Sequence, residues 1–346
     1  TAMPIAHLHE EELLSRDELD QYRLQRFKET LHTAKVSEHY ARTLAHIDPR
    51  DIRSLDELDQ LPFTTKNDLR AAYPYGLLAR PPGEMIRMHA SSGTTGSPTA
   101  MFYTARDVST WADLVARCLH MTGIRPGDVF QNMSGYGLFT GGLGIHYGAE
   151  RLGCLTIPAG AGNSKRQIKL LKDFKVSSIH IIPSYALHLA SVFADSGVDP
   201  RDLELRIALI GAEPHTEESR MRIEELLGVK AYNSYGLSEM NGPGVAFECQ
   251  VQNGMHLWED AYIAEIIDPE TGRTLPEGEL GELVLSTLTR EGMPVLRYRT
   301  RDLTRFIPGT CACGRRHVRI DRIMGRADDM FILKGVNIYP MQVEQI

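Results

Sequence analysis

Between residues 85 and 235, short apolar runs of strand length alternate with stretches whose apolar residues recur every three or four positions. No other feature of the 346-residue chain restricts its fold as much. Residues 85–90, 154–158, 178–182, 206–210 and 230–235 read as strands. Between them Trp111, Leu114, Val115, Cys118 and Leu119 share one helical face, Ile168, Leu171 and Phe174 another, and 185–193 and 221–227 supply two further helices. Buried strands separated by helices predict a mostly parallel sheet with helices on both sides, an α/β fold. The flanks read differently. Residues 1–75 are helical in pattern, with a capping box at Ser15/Glu18 and a second helix-start signal at Thr65/Asp68. Beyond 245 the helical spacing stops, and 263–267, 282–286, 295–298 and 303–307 read as strands, two of them joined by the turn Asp268-Pro269-Glu270-Thr271-Gly272. The expected organisation is a helical segment at 1–75, an α/β core at 76–245 and a small β-barrel-like subdomain at 246–324.

Charge excludes some partners. The formal net charge of −7 is spread along the chain without a basic block, which argues against nucleic acid. No apolar run approaches the roughly 18 residues that span a bilayer, and the first residues lack the charged and apolar regions of a signal peptide. A cytoplasmic protein without a membrane partner is expected, and a homodimer is left open.

The strand-like run 85–90 leads directly into Ser91-Ser92-Gly93-Thr94-Thr95-Gly96-Ser97-Pro98. Glycines let backbone N–H groups close on phosphate oxygens, and the hydroxyls add donors. The loop lacks the Gly-Lys-Ser/Thr ending of a P-loop, which disfavours the common NTPases.

Four further segments follow in order: Gly211-Ala212-Glu213-Pro214, Tyr235-Gly236-Leu237-Ser238-Glu239, Tyr298-Arg299-Thr300-Arg301-Asp302 and Gly325-Arg326-Ala327-Asp328-Asp329. Over essentially its whole length the chain resembles the acyl-adenylate-forming superfamily and, within it, the phenylacetate-CoA ligase family. The resemblance implies that Ser91, Ser92, Gly93, Thr94, Thr95 and Gly96 hold the ATP phosphates. It likewise implies that Gly211, Ala212, Glu213 and Pro214 frame the adenine, with Asn233 among the nucleotide contacts. Tyr235 would pack on the nucleotide, Glu239 would coordinate Mg²⁺, Asp302 would bind the ribose hydroxyls, Arg326 would reach the nucleotide, and Asp328 would be the hinge. Residues 325–346 would then be the hinge and the start of a C-terminal lid. In relatives that lid carries a catalytic Lys, so the chain ending at Ile346 is expected to bind nucleotide better than it reacts. Thr99 stands where many members of the superfamily have Lys, which narrows the branch.

The implied reaction joins an aryl carboxylate, phenylacetate first, to ATP with loss of pyrophosphate, and then passes the acyl group to CoA with loss of AMP. Tyr136, Phe139 and His215 are the expected neighbours of the ring, and His146 reads more as a core histidine than as a substrate contact. Another acid or acceptor within the branch, or a nucleotide-binding module without turnover, remains open at this point. Separately, Cys311-Ala312-Cys313-Gly314 is a tight thiol pair of the kind that forms half of a tetrahedral zinc site. Cys249 and His256 would complete a structural Cys₃His set, with His317 as rival nitrogen ligand. Cys118 and Cys154 sit in apolar patterns and read as core.

Overall fold

The computed structural model describes residues 8–91 and 98–328, and the backbone of 331–333 and 336–338. Ser92, Gly93, Thr94, Thr95 and Gly96 of the expected phosphate loop therefore lie outside the described residues, as does Asp329.

Three helices lead the chain: α1 (Arg16–Ala34), α2 (Glu38–Thr43) and α3 (Lys66–Ala71). The expected capping box of Ser15 with Glu18 is present, and the expected helix start at Thr65 is itself a capping box with Asp68. An antiparallel pair, β1 (Arg87–Ala90) and β2 (Ala100–Tyr103), brackets the phosphate-loop segment. Next comes α4 (Ala105–Thr122), capped by Thr104 and Asp107. Its predicted face of Trp111, Leu114, Val115, Cys118 and Leu119 is buried, each side chain stabilising the fold by about 1.5–3 kcal/mol if fully withdrawn from water. The alternation that follows is β3 (Val129–Asn132), α5 (Thr140–Leu152), β4 (Leu155–Ile157), α6 (Ser164–Asp173), β5 (Ser178–Ile181), α7 (Pro183–Ser196), β6 (Ile207–Gly211), α8 (Glu217–Leu227) and β7 (Lys230–Leu237). Gly148 explains how closely α5 lies on α4, since a Cβ there would fall 2.2 Å from Val115 Cγ1.

The remaining strands are β8 (Gly242–Glu248), β9 (Met255–Leu257), β10 (Tyr262–Ile267), β11 (Gly281–Thr287), β12 (Tyr298–Thr304), β13 (Phe306–Ile307), β14 (Arg319–Ile320) and β15 (Gly325–Arg326), followed by the hairpin β16 (Phe331–Leu333) and β17 (Val336–Ile338). One nine-stranded sheet has the order β13-β14-β9-β8-β7-β6-β5-β3-β4. It is parallel from β4 to β7, as the alternation predicts, and antiparallel from β7 outwards. A second, antiparallel sheet has the order β10-β11-β12-β15. The stretch expected as one strand at 303–307 is divided: Leu303 belongs to the small sheet, Phe306 and Ile307 to the large one. An odd spacing between Leu303 and Phe306 cannot place both on one face of a single strand, and the chain changes sheets at Arg305.

Candidate active site and metal centre

The C-terminal ends of β6 and β7, one end of β12 and the connector 321–324 enclose a cavity of about 280 Å³. Ala212, Glu213, Pro214, His215, Asn233, Tyr235, Asp302 and Arg326 all line it, so segments up to 114 residues apart in sequence converge as the motif order implies. Gly211 closes β6 beside Ser234, where a Cβ would lie 2.3 Å from Ser234 Oγ. Ala212 turns the chain with φ of 68°. Glu213 is then fixed by the backbone N–H and hydroxyl of Ser184, at 3.0 and 2.6 Å. The backbone N–H of Asn233 donates to the buried Glu248 carboxylate at 2.8 Å, and burial raises that carboxyl above its ordinary pKa.

Asp302 sits at the centre of the charged constellation. The Tyr235 hydroxyl donates to its Oδ2 at 2.6 Å, and Arg326 Nη1 donates to its Oδ1 at 3.2 Å. Burial lifts the Asp302 carboxyl to about 6, while the Tyr235 hydroxyl and Arg326 pull the other way. Burial likewise pushes the Tyr235 hydroxyl well above its usual value, which keeps it a donor. Among the described residues each carboxylate oxygen takes one of these bonds, which leaves acceptor positions for two vicinal hydroxyls. Arg326 also holds Asp328 with two bonds of 3.0 Å, joining the cavity to the expected hinge position.

Glu239 follows β7 and is buried. Its carbonyl accepts from Arg290 at 3.2 Å, and burial, with the negative charge of Glu239 close by, pushes the Tyr298 hydroxyl well above its ordinary value. Ser91 closes the base of the phosphate-loop segment: its Oγ lies 2.6 Å from Thr99 Oγ1, and its N–H donates to the Thr99 carbonyl at 3.1 Å. Thr99 is fully buried and acts here as a clasp.

The segment with Tyr136 and Phe139, expected beside the acyl group, lies near this clasp, since the N–H of Ala90 donates to the Leu138 carbonyl at 3.1 Å. Tyr136 and Phe139 are exposed on the segment before α5. His146, expected as a core residue, instead bridges Tyr136 Oη, 3.2 Å from its Nδ1, and Glu150, 2.9 Å from its Nε2. His215 is found in the cavity beside Glu213.

The cysteine arithmetic also converges. Cys249, His256, Cys311 and Cys313 are buried, with their ligand atoms all within 4.8 Å of one another. Cys249 Sγ and Cys311 Sγ are 3.6 Å apart, and Cys313 Sγ is 3.3 Å from His256 Nε2. A tetrahedron with Zn–S bonds of about 2.3 Å has edges of about 3.8 Å. These separations suit such an ion and are far too long for a disulfide. His256 Nδ1 faces the His317 carbonyl at 3.3 Å, which leaves Nε2 for the metal. His317 has both nitrogens engaged, with the Glu259 N–H at 3.1 Å and the Glu11 carbonyl at 2.8 Å, so it does not compete.

The AMP-binding enzyme family model matches residues 24–289. The phenylacetate-coenzyme A ligase of Pseudomonas putida is 50% identical over 340 residues, covering 96% of this chain and 76% of that protein. The chain belongs to the phenylacetate-CoA ligase family. The Escherichia coli K12 protein of the same name is 47% identical over 339 residues, covering 96% of this chain and 77% of its own length. Among solved structures, an open conformation of 2-hydroxyisobutyryl-CoA ligase in complex with 2-HIB-AMP and CoA superposes with a TM-score of 0.90 at 32% identity, covering 97% of this chain and 81% of that one. Membership in the phenylacetate-CoA ligase family makes this an acid–thiol ligase working through an acyl-adenylate. The spacing of the sequence did not single out Arg322, Ile323 or Met255, which also line the cavity. Their only signal was position, just before Gly325 or at the start of β9.

Proposed function

We propose that the protein activates an aryl carboxylate, phenylacetate or a close relative, and transfers it to CoA. The observation that supports this most is the cavity holding Tyr235, Asp302 and Arg326 opposite the 212–215 segment. In this reading the adenine lies against 211–214 and Asn233, and the ribose hydroxyls donate to Asp302. Arg326 contributes positive charge, and the 91–96 loop carries the β- and γ-phosphates. A substrate carboxylate oxygen attacks the α-phosphorus and pyrophosphate leaves. The CoA thiol then attacks the acyl carbonyl, and AMP leaves. Bringing two anions together requires fixed positive charge and in-line positioning. Glu239, a buried carboxylate beside the Tyr298 hydroxyl, is the residue that would hold Mg²⁺, whose charge would offset that of the phosphates. Tyr136 and Phe139 are proposed to contact the ring. Cys249, His256, Cys311 and Cys313 are proposed to hold a structural Zn²⁺ with all four positions filled by protein. None of the five cysteines is in a disulfide, which suits a reducing cytoplasm.

The test is a panel of carboxylic acids assayed for AMP formation by the full-length protein with and without CoA. AMP release that requires both an aryl acid and CoA is expected. Adenylate formation with no need for CoA would sink the ligase assignment.

A further inference from the structure

The cavity has two walls joined by one side chain. One wall is the 212–216 segment between β6 and α8, and the other is the connector 321–324 between β14 and β15. The connector is tied to the body of the subdomain: Thr304 Oγ1 donates to the Asp321 carbonyl at 2.8 Å, and the N–H of Met324 donates to the Leu303 carbonyl at 2.8 Å. From this fixed strip Arg322 reaches across. Its Nη1 donates to the His215 carbonyl at 3.2 Å, and its Nη2 pairs with the carboxylate of Glu217, the first residue of α8. Glu217 also takes a bond of 3.0 Å from Arg220 Nε. At its other end the same segment is pinned by Ser184 to Glu213. The Arg322 side chain is 20% exposed and that of Glu217 42%, so the pair sits at the rim of the cavity, with the bond to the His215 carbonyl on its more sheltered side.

We propose that Arg322 is a positioning residue for the nucleotide. By clamping His215 and Glu217 it fixes the distance between the wall that frames the base and the strand that carries Arg326. Loss of the clamp weakens ATP binding and spares the carboxylate and CoA. The inference rests on the reading of this cavity as the nucleotide site.

Arg322→Ala, Arg322→Lys and Glu217→Gln are compared with the unmodified protein by calorimetric titration with ATP and by steady-state kinetics. A charge-assisted bond of this kind corresponds to about a tenfold change. Arg322→Ala is therefore expected to raise the Kd and KM for ATP about tenfold, leaving the KM for acid and CoA within about twofold and the melting temperature nearly unchanged. Lys offers a point charge in place of a planar fork, so Arg322→Lys should recover only part of the loss. Glu217→Gln should weaken ATP binding in the same direction, but less. An unchanged ATP affinity in Arg322→Ala, or an equal rise in all three KM values, overturns the proposal. Asp302→Ala separates the two possible failures. If ATP affinity is unaltered there too, the nucleotide assignment of the cavity falls. If Asp302→Ala weakens ATP while Arg322→Ala does not, only the role of Arg322 falls.

Discussion

At Asp302, a single carboxyl sets function against stability. Its pKa is lifted by burial to about 6, above the 3.8 of an ordinary Asp. Below about 4 both folded and unfolded chains hold the proton, and the carboxyl carries no penalty. Between about 4 and 6 the unfolded chain releases the proton while the folded chain keeps it, so stability falls as pH rises through this window. Above 6 the penalty is complete and constant. Asp302→Asn removes the charge and keeps an acceptor for the Tyr235 hydroxyl. It should therefore raise the melting temperature relative to the unmodified protein at pH 8, with the difference closing as pH falls towards 4. In the same variant ATP binding should weaken, because an amide is a poorer acceptor for two ribose hydroxyls than a carboxylate. Melting curves across pH 4–8 check the first outcome. A difference that widened towards acid would show that the charge is not the cause.

At the level of elements, the cap of α4 shows how much local pattern reveals. Thr104 with Asp107 announces a helix start, and the structure has that box. What the pattern cannot show is that Asp107 also accepts from the N–H groups of Glu291, at 2.9 Å, and Gly292, at 3.1 Å, more than 180 residues away. Asp107→Ala would strand these donors in a buried site, so it should destabilise the protein by about 3 kcal/mol. Thr104→Ala, which removes a cap alone, should cost about 1 kcal/mol. Denaturant titration of the two variants checks the order, and equal values would contradict it. The same division runs through the fold. The strands β4 to β7 were legible because their apolar runs carry local information, whereas β3, with the sequence Val-Phe-Gln-Asn, has too short an apolar run to be read. The antiparallel strands β8 and β9 were not, since Gly242-Pro243-Gly244 reads as a turn and becomes strand only by pairing with β7. In the cavity, Tyr235, Asp302 and Arg326 could be read from motif order. The clamp of Arg322 could not, because it depends on where β14 and β15 place the connector between them.

Across the whole molecule, the Cys₃His cluster joins parts of the chain that are distant in sequence but adjacent in the sheet. Cys249 follows β8, His256 lies in β9, and Cys311 and Cys313 precede β14, which pairs with β9 through His256 and Arg319. A metal here would close a long loop and hold the strand that leads to Arg322 and Arg326. Protein purified without added metal should contain about one zinc per chain by elemental analysis, and Cys311→Ser should lose it. Removing the ion with a chelator under reducing conditions should lower the melting temperature by about 5–10 °C. Thiol counting supplies an independent check. Cys118 and Cys154 should stay unreactive in both states, since burial pushes each thiol up to about 12. Chelation should therefore expose three thiols to a reagent that finds none beforehand. A metal-free protein that melts at the same temperature and already shows three reactive thiols would mean that the sheet packing alone holds these strands together.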